Sequence, residues 1–360
     1  MNLGFVNRWL CLTAIFSLLG ACSTTGNDAR PDLVSAIPME QSLDQLSDDF
    51  DAGEWPGVTS MTITVDGDLL IEEYSSDVST DDTHDLRSAT KSVTAILIGE
   101  LIEDGLISSV DQPVAKLIPH RFSSFDSRDL KRQITVKDML TMRSGMACDD
   151  WVPASLGQED KMYETPDWVA FFLSQPRAHE RGKHFSYCTG GVVLLGELIT
   201  DLSGMSVSDF ATERLFEPLG ISSAKWADTP TGGTDTGGHL EMTAADFHRL
   251  GVTLLDGNPE IISPDWFDEM VGYQTDVYER RSTYGYLWWR DRVEMDGRTL
   301  DYHYAHGNGG NFIFAVPDLG LVASFTGTNF GSRLQFQPVS ILQDRIIPAV
   351  MDGLPSSKTE

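Results

Sequence analysis

Ser88-Ala89-Thr90-Lys91-Ser92-Val93-Thr94-Ala95-Ile96-Leu97-Ile98-Gly99-Glu100-Leu101-Ile102 is the stretch on which the reading of this chain turns. Val93, Ile96, Leu97, Ile98, Leu101 and Ile102 recur at helical spacing, and Gly105 offers a stop. The pattern predicts a buried helix that opens at a serine and carries a lysine one turn later. Residues three apart lie on one helix face, so the Lys91 amine can reach the Ser88 hydroxyl. A serine hydroxyl is a weak nucleophile until a neighbour takes its proton, and a desolvated lysine can do that. The helix start also puts the Ser88 backbone N–H where it could stabilise an oxyanion. The plain alternative is a serine that only caps a helix.

The spacing alone carries little weight, since a chain of this size holds roughly one or two such pairs by chance. Ser222-Ser223-Ala224-Lys225 is a second one. No long apolar helix follows it, and Trp226-Ala227-Asp228-Thr229-Pro230 reads as loop. Context selects Ser88.

The chain has 360 residues, 54 acidic against 26 basic, for a formal charge of −28. Such a surface repels phosphates and argues against a nucleic-acid partner. A hydrophobic fraction of 41% is enough for a sizeable core. Arg8 is followed by an apolar run from Trp9 to Leu19, too short for an ordinary membrane span. Leu19-Gly20-Ala21-Cys22 then resembles a bacterial lipoprotein signal. That resemblance implies a signal peptide over 1–21 and lipidation of Cys22, with a plain cleaved secretory signal as the alternative. Ser23 after the cysteine points to an outer-membrane lipoprotein of the bacterial cell envelope, facing the periplasm. Residues 22–50 read as a tether and 51–350 as the folded domain. In an oxidising compartment, Cys148 and Cys188 are candidates for a disulfide, with two buried thiols as the alternative.

Val58 to Val65 alternates apolar and polar, Asp66-Gly67 is a hairpin turn, and Leu69 to Tyr74 continues. Ile134 to Thr141 reads as a helix, with Thr135 as a cap and Asp138 three residues on. Residues 146–164 form a long irregular loop, expected as one wall of a cleft. Helices follow over 167–173, 192–202, 207–215 and 242–255. Strands return at 284–289, 302–305, 311–316 and 321–326, and a helix over 341–350 closes the chain. Strands at both ends with helices between imply an α+β fold, one sheet whose first and last strands are neighbours. The sheet part would span about 51–87 and 280–350, with a mostly helical insertion over about 88–279.

Two further stretches complete the pattern: Tyr187-Cys188-Thr189 before an apolar helix, and His306-Gly307-Asn308-Gly309-Gly310 before a late hairpin. With Ser88-Ala89-Thr90-Lys91 and Ile134-Thr135-Val136-Lys137-Asp138-Met139-Leu140, their order resembles the penicillin-recognising serine hydrolases. The resemblance covers about residues 59–350 and is strongest to the class C β-lactamase-related group of nylon-oligomer hydrolases and esterases. It implies a β-lactamase/transpeptidase-like fold and no metal or other cofactor. It further implies that Ser88 forms an acyl-enzyme while Lys91 and Tyr187 move its proton. Thr189 stands where Asn or Ser is usual, and His306 where Lys or His is usual. Asn308 fills a place often held by glycine. Thr189, His306 and Asn308 are candidates for contacting substrate, and Gly309 for supplying a second oxyanion N–H. These departures favour small esters, amides or peptides as substrates. A true class C-type β-lactamase or D,D-peptidase is the first alternative, and a non-catalytic binder of peptidoglycan fragments or penicillin the second. His179-Glu180-Arg181-Gly182-Lys183-His184 has one residue too many for a zinc-protease motif, and the chain has no G-x-S-x-G elbow.

Overall fold

The structure, a computed structural model, describes residues 39–255, 257–277 and 282–353. Its strands are β1 (Val58–Val65), β2 (Asp68–Tyr74), β3 (Thr83–Asp85), β4 (Lys225–Trp226), β5 (Leu240–Thr243), β6 (Thr275–Asp276), β7 (Thr283–Tyr284), β8 (Trp289–Met295), β9 (Arg298–Gly307), β10 (Asn311–Val316) and β11 (Leu321–Gly327). Eight of them form one antiparallel sheet in the order β2-β1-β11-β10-β9-β8-β7-β6. The first long strand therefore pairs with the last, Met61 opposite Phe325 and Ile63 opposite Ala323. β3, β5 and β4 make a separate small sheet.

Successive side chains on a strand face opposite ways, so a sheet covered on both sides needs apolar or satisfied residues at every position. β10 and β11 are buried throughout. Phe312, Phe314, Leu321, Ala323 and Phe325 join one core with Met61 and Ile63. Ile313, Ala315 and Val322 join the other, which holds the Thr90–Glu103 and Thr189–Ser203 helices.

The first core corrects the last part, 39–50, of the tether expected over 22–50, where the sequence offers no more than short helical turns near Met39 to Leu46. From Met39 to Asp51 the chain is a helix that buries Leu43, Leu46 and Phe50. Its periodicity is diluted by five polar or acidic residues between these anchors, which makes the segment read as linker. It packs with the closing helices Gln337–Ile341 and Ile347–Gly353. The signal segment and Cys22 lie outside the described residues.

Two smaller differences have local causes. Met242, expected at the start of a helix, alternates inward with Leu240 on β5, and the helix starts only after the cap Thr243. The irregular 146–164 loop contains a one-turn helix, Glu159–Tyr163. The expected Thr135–Asp138 capping box is present.

The second core also hides polar groups. His248 sits between Thr64 Oγ (3.1 Å) and Ser324 Oγ (2.8 Å), and burial holds its pKa down at about 4. In the folded chain it is neutral, while the unfolded chain takes up a proton below its ordinary value of 6.5. Stability is therefore undiminished above pH 6.5 and falls as pH drops towards 4, by roughly 3 kcal/mol from this residue. Thermal melts between pH 4 and 7.5 check this: His248→Gln flattens the acid limb, and an unchanged limb refutes the assignment.

Candidate active site

Ser88 stands at a forced corner. Arg87 just before it has φ of 51°, a conformation that costs an L-residue about 1–2 kcal/mol. Asp85 holds that corner, accepting the Arg87 N–H at 2.8 Å and pairing with Arg87 Nε at 3.1 Å. A single 3-10 turn, Arg87–Ala89, then feeds the Thr90–Glu103 helix. The turn leaves Ser88 partly exposed while Ala89, Thr90 and Lys91 are buried. Gly307, at the end of β9, passes so close that any Cβ there would overlap the Leu86 carbonyl oxygen. Only glycine lets the sheet approach the nucleophile turn this closely.

Lys91 is 1% exposed, and its Nζ donates to Ser88 Oγ at 3.0 Å and to the Gly237 carbonyl at 2.5 Å. The Tyr187 ring lies beside it, 5.1 Å from Nζ to the ring centroid. Burial pulls the Lys91 amine down, but the acidic groups around it, Tyr187, Glu159, Asp150 and Asp235, push it up and prevail. Burial lifts the Tyr187 phenol, against the pull of Lys91 and the nearby Ser88 hydroxyl, and the net direction is again upward. The resting couple is thus an ammonium and a neutral phenol.

The second S-x-x-K pair does not assemble. Lys225 lies on β4 opposite Glu241, while the Ser222 and Ser223 backbone N–H groups bond Asp246.

Ser88 opens into a cleft of about 330 Å³, walled by Asp150, Trp151, Glu159, Tyr187, Trp289, His306 and Asn308 among others. Trp151 stacks on Tyr187 with centroids 5.1 Å apart and planes 6° from parallel, and Trp289 stacks against both at about 6 Å. A disulfide joins Cys148 to Cys188 across 40 residues and fastens the Trp151 loop to the Tyr187 turn. The Asp150 N–H also donates to the Tyr187 carbonyl at 2.8 Å, and Ser186 Oγ donates to the Cys148 carbonyl at 2.9 Å. Closing a loop of this length stabilises by about 2–4 kcal/mol. Reduction is expected to lower the melting temperature and slow turnover together. Melts and ester assays with and without reductant check this, and unchanged values in both would refute it.

Thr189 is corrected from its expected place against substrate. It is fully buried, its N–H donates to Asp150 Oδ2 (2.7 Å), and its hydroxyl donates to Glu159 Oε2 (2.8 Å). The reason is capping. Thr189 opens a helix whose N-cap, Cys188, offers no side-chain acceptor, so the Asp150 carboxylate takes that position. Asp150 is pushed up to about 7 by burial and by its neighbour Glu159, against the pull of Lys91 and Thr189. Gly309 is the candidate for a second oxyanion N–H. It lies in the turn after β9 at φ 101°, and its carbonyl accepts the Asn329 N–H. His306 does face the cleft, its ring stacked on Phe312 at 4.4 Å, and Asn308 Oδ1 accepts the Gly331 N–H.

Asp150, Glu159, Asp235, Trp151 and Trp289 are the site residues that motif reasoning misses. The only signal for the first two was the length of the 146–164 loop.

With this geometry in place, the comparisons decide the family. Residues 43–338 match the Beta-lactamase family. The chain belongs to that family. This family member is a serine hydrolase. One relative is the 6-aminohexanoate-dimer hydrolase of Paenarthrobacter ureafaciens, 23% identical over 278 residues, 74% of this chain and 70% of that protein. Among solved structures, a family VIII carboxylesterase superposes with a TM-score of 0.67 at 17% identity, covering 89% of this chain and 98% of its own. An octameric penicillin-binding protein homologue from Pyrococcus abyssi gives 0.66 at 20% identity, covering 85% and 77%. These structural likenesses establish the β-lactamase/transpeptidase-like fold of this family member.

Proposed function

We propose that the chain is a lipid-anchored hydrolase of the bacterial envelope that cleaves small esters, amides or short peptides through an acyl-enzyme on Ser88. Lys91 and Tyr187 act as its acid/base pair, and Cys22 carries the anchor. The observation that carries the catalytic reading is the Lys91 Nζ to Ser88 Oγ hydrogen bond of 3.0 Å, made at the mouth of a cleft that Tyr187 also lines.

Because the resting couple is fully protonated, one proton must leave it before Ser88 can pass on its own. The Ser88 oxygen then attacks the substrate carbonyl while its proton moves onto the couple. Tyr187 returns a proton to the leaving alcohol or amine as the carbonyl re-forms. In the second half a water gives its proton to the couple and attacks the acyl carbonyl, and Ser88 leaves reprotonated. The rate should rise with pH until the couple has lost its first proton.

Intact-mass analysis after treatment with a fluorophosphonate tests the reading. One adduct, on the peptide containing Ser88, is expected. A labelled chain with Ser88 unmodified would sink it. A panel of short-chain esters, D-amino-acid amides, nitrocefin and linear amide dimers then ranks substrates. Nitrocefin turnover exceeding that of the esters would favour the β-lactamase alternative.

A further inference from the structure

Asp235 stands outside the three residues assigned to the chemistry, yet the turn it organises ends on Lys91. Its side chain is fully buried. Oδ1 accepts the Gly237 and Gly238 backbone N–H groups at 3.0 and 3.1 Å, and Oδ2 lies 2.7 Å from His239 Nδ1. Three contacts on one carboxylate fix the direction of the intervening peptides. The Gly237 carbonyl is thereby aimed at Lys91 Nζ, which it meets at 2.5 Å. The flanks of the turn are pinned as well. Thr94 Oγ donates to the Thr236 carbonyl, and Thr236 Oγ donates to the Val192 carbonyl, both at 2.8 Å. Gly237 has no room for a side chain, since a Cβ would press on Thr189 Cγ2 at 2.5 Å.

We propose that Asp235 is a positioning residue for Lys91, shaping the 235–239 turn so that the Gly237 carbonyl receives the ammonium while its buried charge steadies that ammonium. This rests on the Ser88–Lys91–Tyr187 reading and adds a residue to it. The acidic groups facing Lys91 are Tyr187, Glu159, Asp150 and Asp235. Asp235 Oδ2 meets His239 Nδ1, and His239 Nε2 accepts from Arg87 Nη1 at 3.3 Å. Removing the carboxylate charge makes the ammonium easier to deprotonate.

The test is the pH dependence of kcat/KM for a neutral ester. Asp235→Asn keeps an oxygen for the glycine N–H groups and loses the charge. Its rising limb should move to lower pH by about half a unit to one unit, with KM within about threefold of wild type. His239→Gln leaves Asp235 charged and should keep the limb within about 0.3 unit of wild type. A merely structural role would lower activity and melting temperature in Asp235→Asn without moving its limb. An Asp235→Asn limb that coincides with wild type, or a His239→Gln limb that moves by about half a unit or more, overturns the proposal. The underlying reading is judged separately, by Lys91→Ala. If that variant keeps its activity, the Ser88–Lys91–Tyr187 mechanism itself falls. If it loses activity while the Asp235→Asn limb stays put, only the role of Asp235 falls.

Discussion

Ser88→Ala should lose ester hydrolysis by roughly 10⁴–10⁶-fold and all fluorophosphonate labelling. On the proposed mechanism the effect is this large because the hydroxyl oxygen is the atom that bonds to the substrate, and no neighbour can replace it. The second S-x-x-K pair offers no substitute, with Lys225 on a strand and its serines bonded to Asp246. The fold should survive. Ser88 is partly exposed, and the Lys91 ammonium keeps its contact with the Gly237 carbonyl. Stability is expected to change by no more than about 1 kcal/mol. Ester turnover and a melt of the same preparation check both halves, and turnover within tenfold of wild type would remove Ser88 from the chemistry.

Lys91→Ala should cost about 10³–10⁵-fold in acylation and, unlike Ser88→Ala, should also destabilise the fold. Two separate causes act. The first is lost proton transfer, since Tyr187 is held neutral by burial and loses the cation that pulls its phenol down. The second is electrostatic. Lys91 is the buried cation facing Asp150, Glu159 and Asp235, and without it these acids repel one another uncompensated. Asp150, already near 7, should rise further. Lys91→Arg separates the causes. It restores the charge but brings a planar fork in place of a point amine, so stability should recover more than activity does. Stopped-flow acylation and melts on the two variants measure this, and an acylation loss below tenfold in Lys91→Ala would take the amine out of the mechanism.

Much of the fold was legible because its signals are local. The alternation of Val58 to Val65, the Asp66-Gly67 turn and the Pro317-to-Gly320 turn mark the strands that meet in the middle of the sheet. The nucleophile helix was legible from its period alone. The first helix was not, because Leu43, Leu46 and Phe50 acquire meaning only when the closing helices arrive to cover them. The candidate site divides in the same way. Ser88 and Lys91 share one turn of helix, which sequence displays directly. Asp150, Glu159 and Asp235 earn their places by distance in space, at 62, 71 and 147 residues from Ser88 in the chain. No short pattern records such a meeting. Thr189 was misread for a related reason: a motif names the position but not the carboxylate that turns its hydroxyl away from the cleft.

The bond between Cys148 and Cys188 has a consequence for where this molecule can work. It sits one residue from Tyr187 and two from Asp150, so maturation of the reaction centre includes an oxidation step. A polypeptide kept among reduced thiols would carry every catalytic side chain and still lack the clasp that seats the tryptophan lid. Hydrolytic power would then report on the redox state in which the chain matured, and material purified from a reducing cytosol would understate what the oxidised chain can do.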